Sequence, residues 1–279
     1  MKRMIYRIAK LLNHNSFIGI ESGAKQECLI MGKGIAFGKK IGQTIEVPQD
    51  ARIYSLKELT DRGDAREIIN SVSPVCLELA NEILREAEAE FGDIDRSILF
   101  PIADHLDFAI RRLQRGEQIS NPLTEDIRIL FYKEYKVAGC IAPMLKEKFQ
   151  IELDEHETGY IALHVHSAIV DEKVSQAMEI ARTVRECISL VEKETGNSID
   201  VMSLAYNRLM NHVRYMVART IHGEKLKMNL NDYMSVKFPE AFHASERICR
   251  EMEKRLGLPM PDIEIGYLAM HLERMLDSE

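Results

Sequence analysis

The chain has 279 residues, of which 46% are hydrophobic and 29% charged, and a formal net charge of −7. This is an ordinary globular composition with length for two or three domains; no apolar run approaches the roughly 20 residues of a membrane span, so no membrane insertion is expected, and the N-terminus carries no signal-peptide pattern. The five cysteines (28, 76, 140, 187, 249) are odd in number and scattered; without a C-x-x-C pair they point to reduced thiols in a cytoplasmic protein, not to a disulfide framework or a zinc site.

The N-terminal stretch reads as strands. Ile5 to Leu12 is apolar with interspersed basic residues, and Asn13-His14-Asn15 supplies turn chemistry. Phe17, Ile18 and Ile20 form a second strand, Ser22-Gly23-Ala24-Lys25 a hairpin turn, and Cys28 to Met31 a third strand. The Gly-rich stretch Gly32-Lys33-Gly34-Ile35-Ala36-Phe37-Gly38-Lys39-Lys40 follows, and Ala51 to Leu56 is the fourth strand. A sheet this small gains from dimerisation. Residues 1–55 hold nine Lys/Arg against four Asp/Glu, a balance of +5; the other 28 against 40 give −12 and complete the −7. A basic head on an acidic body predicts a polyanion partner for the head. The Gly-rich stretch lacks the G-x-x-x-x-G-K-[ST] order of a phosphate-binding loop. Its lysines and single aromatic suit RNA, in which Phe37 would stack on an unpaired base; the alternative is a hairpin with Phe37 in the core.

Residues 57–71 are charged and polar and read as a linker that merges into a helix. From Val72 the pattern is helical: one helix holds Leu77, Ile83 and Leu84, and another runs from Ile98 to Leu113. Further helices are expected around 124–149, 155–170, 174–195, 200–220, 229–256 and 262–277. Breaks are expected at Gly92, Gly116, Pro122, Gly196, Gly223 and Leu258-Pro259-Met260-Pro261, with a joint at Asp171-Glu172-Lys173.

The body repeats itself. Glu157-Thr158-Gly159-Tyr160-Ile161-Ala162-Leu163-His164 is matched by Glu264-Ile265-Gly266-Tyr267-Leu268-Ala269-Met270-His271, 107 residues on. The same 107-residue offset pairs His105 with His212 and Arg112 with Arg219, and leaves 59 residues between the two histidines of each copy. So long a shared period marks a duplicated domain, not a short solenoid repeat. On a helix, residues 157, 160, 161 and 164 share one face. A buried histidine often does no more than hydrogen-bond a carboxylate. Here the aligned apolar positions interchange while the four histidines do not, which points to use of the imidazoles. Metal ligation is disfavoured because no H-E-x-x-H pair occurs, and on a helix His164 and His166 point different ways. Neutral imidazole is a competent phosphate acceptor, and a phosphoryl group would add about −1.5 to −2 charge. Asp104 and Asp107 flank His105, whereas Asn211 and Arg214 flank His212. Phosphate is therefore expected to meet like charge in the first copy and a cation in the second.

With these motifs in place the sequence resembles the transcriptional antiterminators of the BglG/SacY type, which control bacterial sugar-utilisation operons. The head is similar to their co-antiterminator RNA-binding domain through Ile8-Ala9-Lys10-Leu11-Leu12-Asn13-His14-Asn15 and Met31-Gly32-Lys33-Gly34-Ile35-Ala36-Phe37. The body resembles two phosphotransferase-system regulation domains. The resemblance implies a multidomain fold: a small antiparallel β-sheet at 1–56, a linker at 57–71, and two duplicated all-α helical bundles at 72–171 and 172–279. It implies phosphorylation at His105, His164, His212 and His271, and RNA contacts from Lys10, Asn15, Gly32, Lys33 and Phe37. The implied partners are an mRNA leader hairpin bound by a homodimer, the phosphocarrier HPr acting on the second bundle as activator, and a sugar permease (enzyme II) acting on the first as inhibitor. No enzymatic activity, cofactor or metal is implied. His14 stands where the family often has Asn, and Lys33 where many members have Arg, which removes a planar guanidinium fork. His166 and His243 have no counterpart. Two alternatives remain open: a DNA-binding activator with the same regulation domains, which needs an N-terminal helix-turn-helix, and a histidine-based metal or phosphotransfer enzyme, which needs a substrate pocket beside the histidines.

Overall fold

The computed structural model describes residues 4–23, 26–57, 59–60, 63–170, 172–196, 199, 203–224 and 226–276. The chain forms two compact units. One comprises Met1–Asn121 and Phe131–Val174, the other Pro122–Leu130 and Ser175–Glu279.

The head is a five-stranded antiparallel sheet in the order β4-β1-β2-β3-β5, built from β1 (Ile5–Asn13), β2 (Ser16–Glu21), β3 (Glu27–Met31), β4 (Thr44–Glu46) and β5 (Arg52–Ser55). Four of these match the expected strands. β4 was not expected, because three residues on a sheet edge with only Ile45 buried carry almost no alternating signal. Ala24 and Lys25 of the expected hairpin turn lie outside the described residues. Tyr6, Ile8, Phe17, Cys28, Ile30, Ala36, Ile45 and Val47 pack into one core. The pairing of β1 with β2 shifts register between Ile8 and Lys10 and again between Leu11 and Asn13. Such bulges bend a strand and re-aim its side chains. The sheet does not stand alone. Tyr54 of β5 meets the Phe100 ring edge-on at 6.4 Å and donates to Asn81 Oδ1 at 2.7 Å, both residues of the helical part of the same unit.

The stretch expected as linker holds structure of its own: a two-stranded turn, β6 (Leu59–Thr60) with β7 (Gly63–Asp64), and the helix α1 (Ala65–Ser71). Asp64 caps α1 by accepting the Arg66 N–H, and Ile68 and Ile69 are buried. Next come α2 (Pro74–Phe91) and α3 (Leu99–Gln114). The helix expected over 124–149 is broken into α4 (Thr124–Leu130), α5 (Tyr132–Ala138) and α6 (Ala142–Phe149), with a 3-10 turn at Gly139–Ile141. Phe131 leaves the helical region at φ −119° and ψ 43°, and Pro143 stands in the first turn of α6. α7 (Glu155–Ile169), α8 (Val174–Thr195) and α9 (Leu204–His222) fall where expected, and residues 200–202 lie outside the described set. The helix expected over 229–256 divides into α10 (Asn231–Lys237) and α11 (Pro239–Leu256). Pro239 supplies no N–H and drives Phe238 to φ −135°. α12 (Ile263–Leu276) closes the fold. Among the described residues no helix is long and apolar enough to cross a membrane.

In the second unit α4 belongs with α9: Arg214 donates to the Leu130 carbonyl at 2.7 Å, and Arg185 of α8 reaches both oxygens of the buried Asp126 at 3.4 Å. α12 packs on α9, α10 and α11. Gly266, in the repeated motif, is where α12 meets the start of α10. Its N–H donates to Asn231 Oδ1 at 3.0 Å, and the Asn231 amide donates on to the Asp262 carbonyl. A Cβ at 266 would stand 2.6 Å from Asn231 Oδ1 and 2.9 Å from Asn231 N, with backbone in the way. Gly266→Ala is therefore expected to destabilise the second unit by about 1–3 kcal/mol. Urea unfolding should show a lower midpoint for the transition of that unit; an unchanged midpoint would mean that α10 is free to withdraw.

Candidate functional site

The duplicated helices bring the four histidines together in pairs. In the first unit Asp154 caps α7 by accepting the Glu157 N–H at 2.8 Å, which sets where the motif begins. α7 then presents Glu157, Tyr160, Ile161 and His164 along one stripe, and α3 packs against it with His105 and Arg112. The rings of His105 and His164 lie 5.5 Å apart between centroids, and Tyr160 is 5.9 Å from His105. Both histidines are buried. Beneath them the Glu157 carboxylate, fully buried, has Oε2 3.3 Å from His105 Nε2 and pairs through Oε1 with Arg112.

The second unit repeats the arrangement on α9 and α12. His212 stacks on His271 at 4.4 Å and 24°, with Tyr267 parallel to His212 at 6.3 Å. Arg219 grips the buried Glu264 through two hydrogen bonds of 2.7 and 2.9 Å. Burial, with His271 and the Arg219 guanidinium nearby, lowers the His212 pKa to about 3. Burial also lowers that of His271, assisted by Arg274 and Arg208. Both imidazoles are thus neutral, and His212 Nε2 is buried without a hydrogen bond. A sequence spacing of 59 residues has become a ring-on-ring contact in each copy.

Two of the charges flanking the histidines in sequence, Asp107 and Arg214, turn to other partners. Asp107 faces α2: it accepts the Ser73 N–H at 2.9 Å and pairs with Arg111 at 2.6 Å. Arg214 lies over the Tyr215 ring and bonds to Leu130, away from His212. The expectation built on these two neighbours fails for a simple reason, since side chains two residues apart diverge on a helix. The Arg–Glu pairs take their place. Their signal was present in the shared offset of Arg112 with Arg219 and of Glu157 with Glu264, but no local pattern says that an arginine on one helix closes on a carboxylate 45 residues away. His166 turns from the pair, as expected, and sits between the Phe131 ring at 4.5 Å and Glu134 Oε1 at 2.9 Å. His243 is exposed beside Glu246.

In the head, the residues that the resemblance assigns to RNA gather around the turn between β1 and β2. The Asn15 carbonyl accepts the Gly32 N–H at 2.9 Å, and its side-chain Oδ1 accepts the Gly34 N–H at 2.8 Å, which Gly34 can offer at φ +66°. Phe37 is 68% exposed, not core, and the His14 ring meets it edge-on at 5.3 Å. Lys33 is exposed beside it. Lys10 stands apart from this cluster, with its ammonium on Asn70 Oδ1 at 2.8 Å.

The sequence profile of the PRD domain matches residues 67–168 and 185–275, and that of the CAT RNA binding domain matches residues 6–62. Transcription antiterminator LicT of Bacillus subtilis is 27% identical over 274 residues, covering 97% of this chain and 99% of the relative. Protein GlcT of Staphylococcus haemolyticus is 26% identical over 279 residues, 96% and 95% of the two chains. The beta-glucoside operon antiterminator of Dickeya chrysanthemi is 26% identical over 275 residues, 96% of each. Among solved structures, the crystal structure of GlcT CAT-PRDI aligns with a TM-score of 0.50 and 28% identity, over 60% of this chain and 99% of that one. The paired histidine helices are thus two PRD domains, and the chain belongs to the PRD family, with a CAT RNA binding domain at its head.

Proposed function

We infer that this chain is an RNA-binding antiterminator of a sugar-utilisation operon, controlled by histidine phosphorylation from the phosphotransferase system. The observation that carries the reading is the coexistence of two structures in one chain: a basic head with an exposed aromatic and lysine on glycine-rich turns, and two helical units each holding a pair of packed imidazoles. The head, as a dimer in the cytoplasm, takes a leader hairpin of nascent mRNA and prevents an overlapping terminator from forming. A DNA-binding activator would need a helix-turn-helix at the N-terminus, where this chain has a sheet.

The second imidazole pair is suited to phosphate because it is neutral, and in both pairs a ring nitrogen is the nucleophile. The first pair is buried and the second half-buried, so each must open to accept a phosphoryl group and cannot close over it unchanged. Each unit meets the arriving group with the same pair of groups, a buried carboxylate and an arginine: Glu157 with Arg112 in the first and Glu264 with Arg219 in the second. The opposite roles of the two units are carried by the family resemblance. We assign the permease-dependent, inhibitory phosphorylation to His105 and His164, and the activating one, from HPr, to His212 and His271.

Three outcomes test this reading. The full chain should bind a leader hairpin with unpaired bases, with affinity falling steeply as salt rises. Phe37→Ala should weaken binding by roughly 1–3 kcal/mol if the ring stacks on a base. It should leave the thermal midpoint nearly unchanged, since an exposed ring contributes little to folding. Salt-independent binding would refute the polyanion reading.

In a terminator-reporter assay, His105→Ala should give antitermination without sugar, His212→Ala should lose activation, and His212→Asp should recover part of it. Silence of His105→Ala without sugar, or full activity of His212→Ala, would reverse the assignment.

The third outcome concerns pH. Folded His212 protonates only near pH 3, against an ordinary value of 6.5. The unfolded chain binds the proton first, so stability is lost as pH falls from about 6.5 toward 3, by up to ~1.4 kcal/mol per pH unit from this residue. His271 acts in the same direction. Urea midpoints measured between pH 7 and 5 should fall more for the wild type than for His212→Gln; parallel falls would contradict the neutral pair.

A further inference from the structure

The surface assigned to RNA is only half open. Phe37 and Lys33 face solvent, but Asn15 and Lys10 are engaged by the helical part of their own unit. Asn15 Nδ2 donates to Glu78 Oε1 at 2.9 Å, and Asn13 Nδ2 donates to the same oxygen at 3.0 Å. The other Glu78 oxygen accepts from Lys148 Nζ at 3.1 Å. Asn15 has no freedom to look elsewhere, because its Oδ1 is held by the Gly34 N–H and this fixes the plane of the amide. Asn13 is fixed likewise, its Oδ1 accepting from Asn15 N and Ser16 Oγ. Two preset amide donors therefore converge on one anionic oxygen. This is the chemistry a phosphate oxygen or a base carbonyl would offer them.

We propose that Glu78 is a built-in competitor of RNA: its carboxylate holds the Asn13 and Asn15 amides in the RNA-free chain, and RNA must displace it to bind. The inference rests on the assignment of Asn15 and Lys10 to RNA contact. The competitor is reversible by construction. Once displaced, the Glu78 carboxylate keeps Lys148 as a partner and is not left as an unmatched charge. Lys10, turned onto the neutral Asn70 amide, is released in the same movement. The affinity of the full chain is then the intrinsic affinity of the head reduced by the fraction of molecules in which Glu78 has let go.

The test is a fluorescence anisotropy titration of the full chain, at fixed salt, with a labelled hairpin from the leader of the adjacent operon. Glu78→Ala is expected to bind about 5–50-fold tighter than the wild type. Glu78→Gln keeps the shape and is expected to gain less in the same direction, which covers the case in which the alanine variant fails to fold. Glu86→Gln removes a charge from an exposed position further along α2 and should stay within about twofold of wild type. Unchanged or weaker binding by both folded Glu78 variants would overturn the proposal, and so would an equal gain by Glu86→Gln, which would reduce the effect to net charge. If the hairpin binds and Phe37→Ala weakens it while Glu78 is indifferent, this inference alone falls. If no variant binds the hairpin, the RNA assignment falls and takes this inference with it.

Discussion

A carboxylate shut away from water has to be matched, and each helical unit carries one at its centre. Glu157 and Glu264 are essentially unexposed, and both are held by an arginine from the helix that also bears the first histidine of the pair. Removing such a partner would cost on the order of 3–5 kcal/mol, because it strands a buried charge. The pairing therefore fixes the depth and rotation of α3 against α7 and of α9 against α12. The stripe of the repeated motif does the rest, carrying Tyr and His up the same face until the rings meet. The neutrality of the second histidine pair follows from this packing, since burial beside a guanidinium leaves an imidazole no reason to take a proton.

The sheet and the first helical bundle are likewise tied by polar contacts at fixed places. Tyr54 reaches Asn81, Arg52 reaches Glu88, and Arg66 reaches Glu27, while Asp107 of α3 holds the N–H of Ser73 just ahead of α2. α2 is thus anchored by the helix of His105 at one end and touches the head along its length. Contacts of this kind form and break more readily than an apolar interface of the same size, because each polar group has water as an alternative partner.

Much of this was legible in the sequence, and the limits of legibility have physical causes. The 107-residue offset revealed the duplication and chose the four histidines, because a repeated motif is a comparison within one chain and needs no knowledge of contacts. Strands with buried, alternating residues were readable, whereas Thr44–Glu46 was too short. Helices were readable where the apolar period ran on. Their internal breaks were not, because Phe131 and Phe238 are apolar residues that fit the period while their backbone leaves it. Asp107 and Arg214 misled, since adjacency along a helix is not adjacency in space. The exposure of Phe37 could not be decided from residues alone, because an aromatic in a glycine-rich turn serves equally well inside or out.

The membership of α4 in the second unit has a consequence for how the protein is made. Asp126 is buried and waits for Arg185, which follows 59 residues later. A ribosome adding roughly 5–20 residues per second needs roughly 3–12 s to deliver that partner. During this interval α4 is on hand with an apolar face and an unmatched acid, while the first unit, complete by Val174, can already close around its histidines. Every residue of the head and first bundle is therefore synthesised before Arg185, so that unit can close while α4 still lacks its partner.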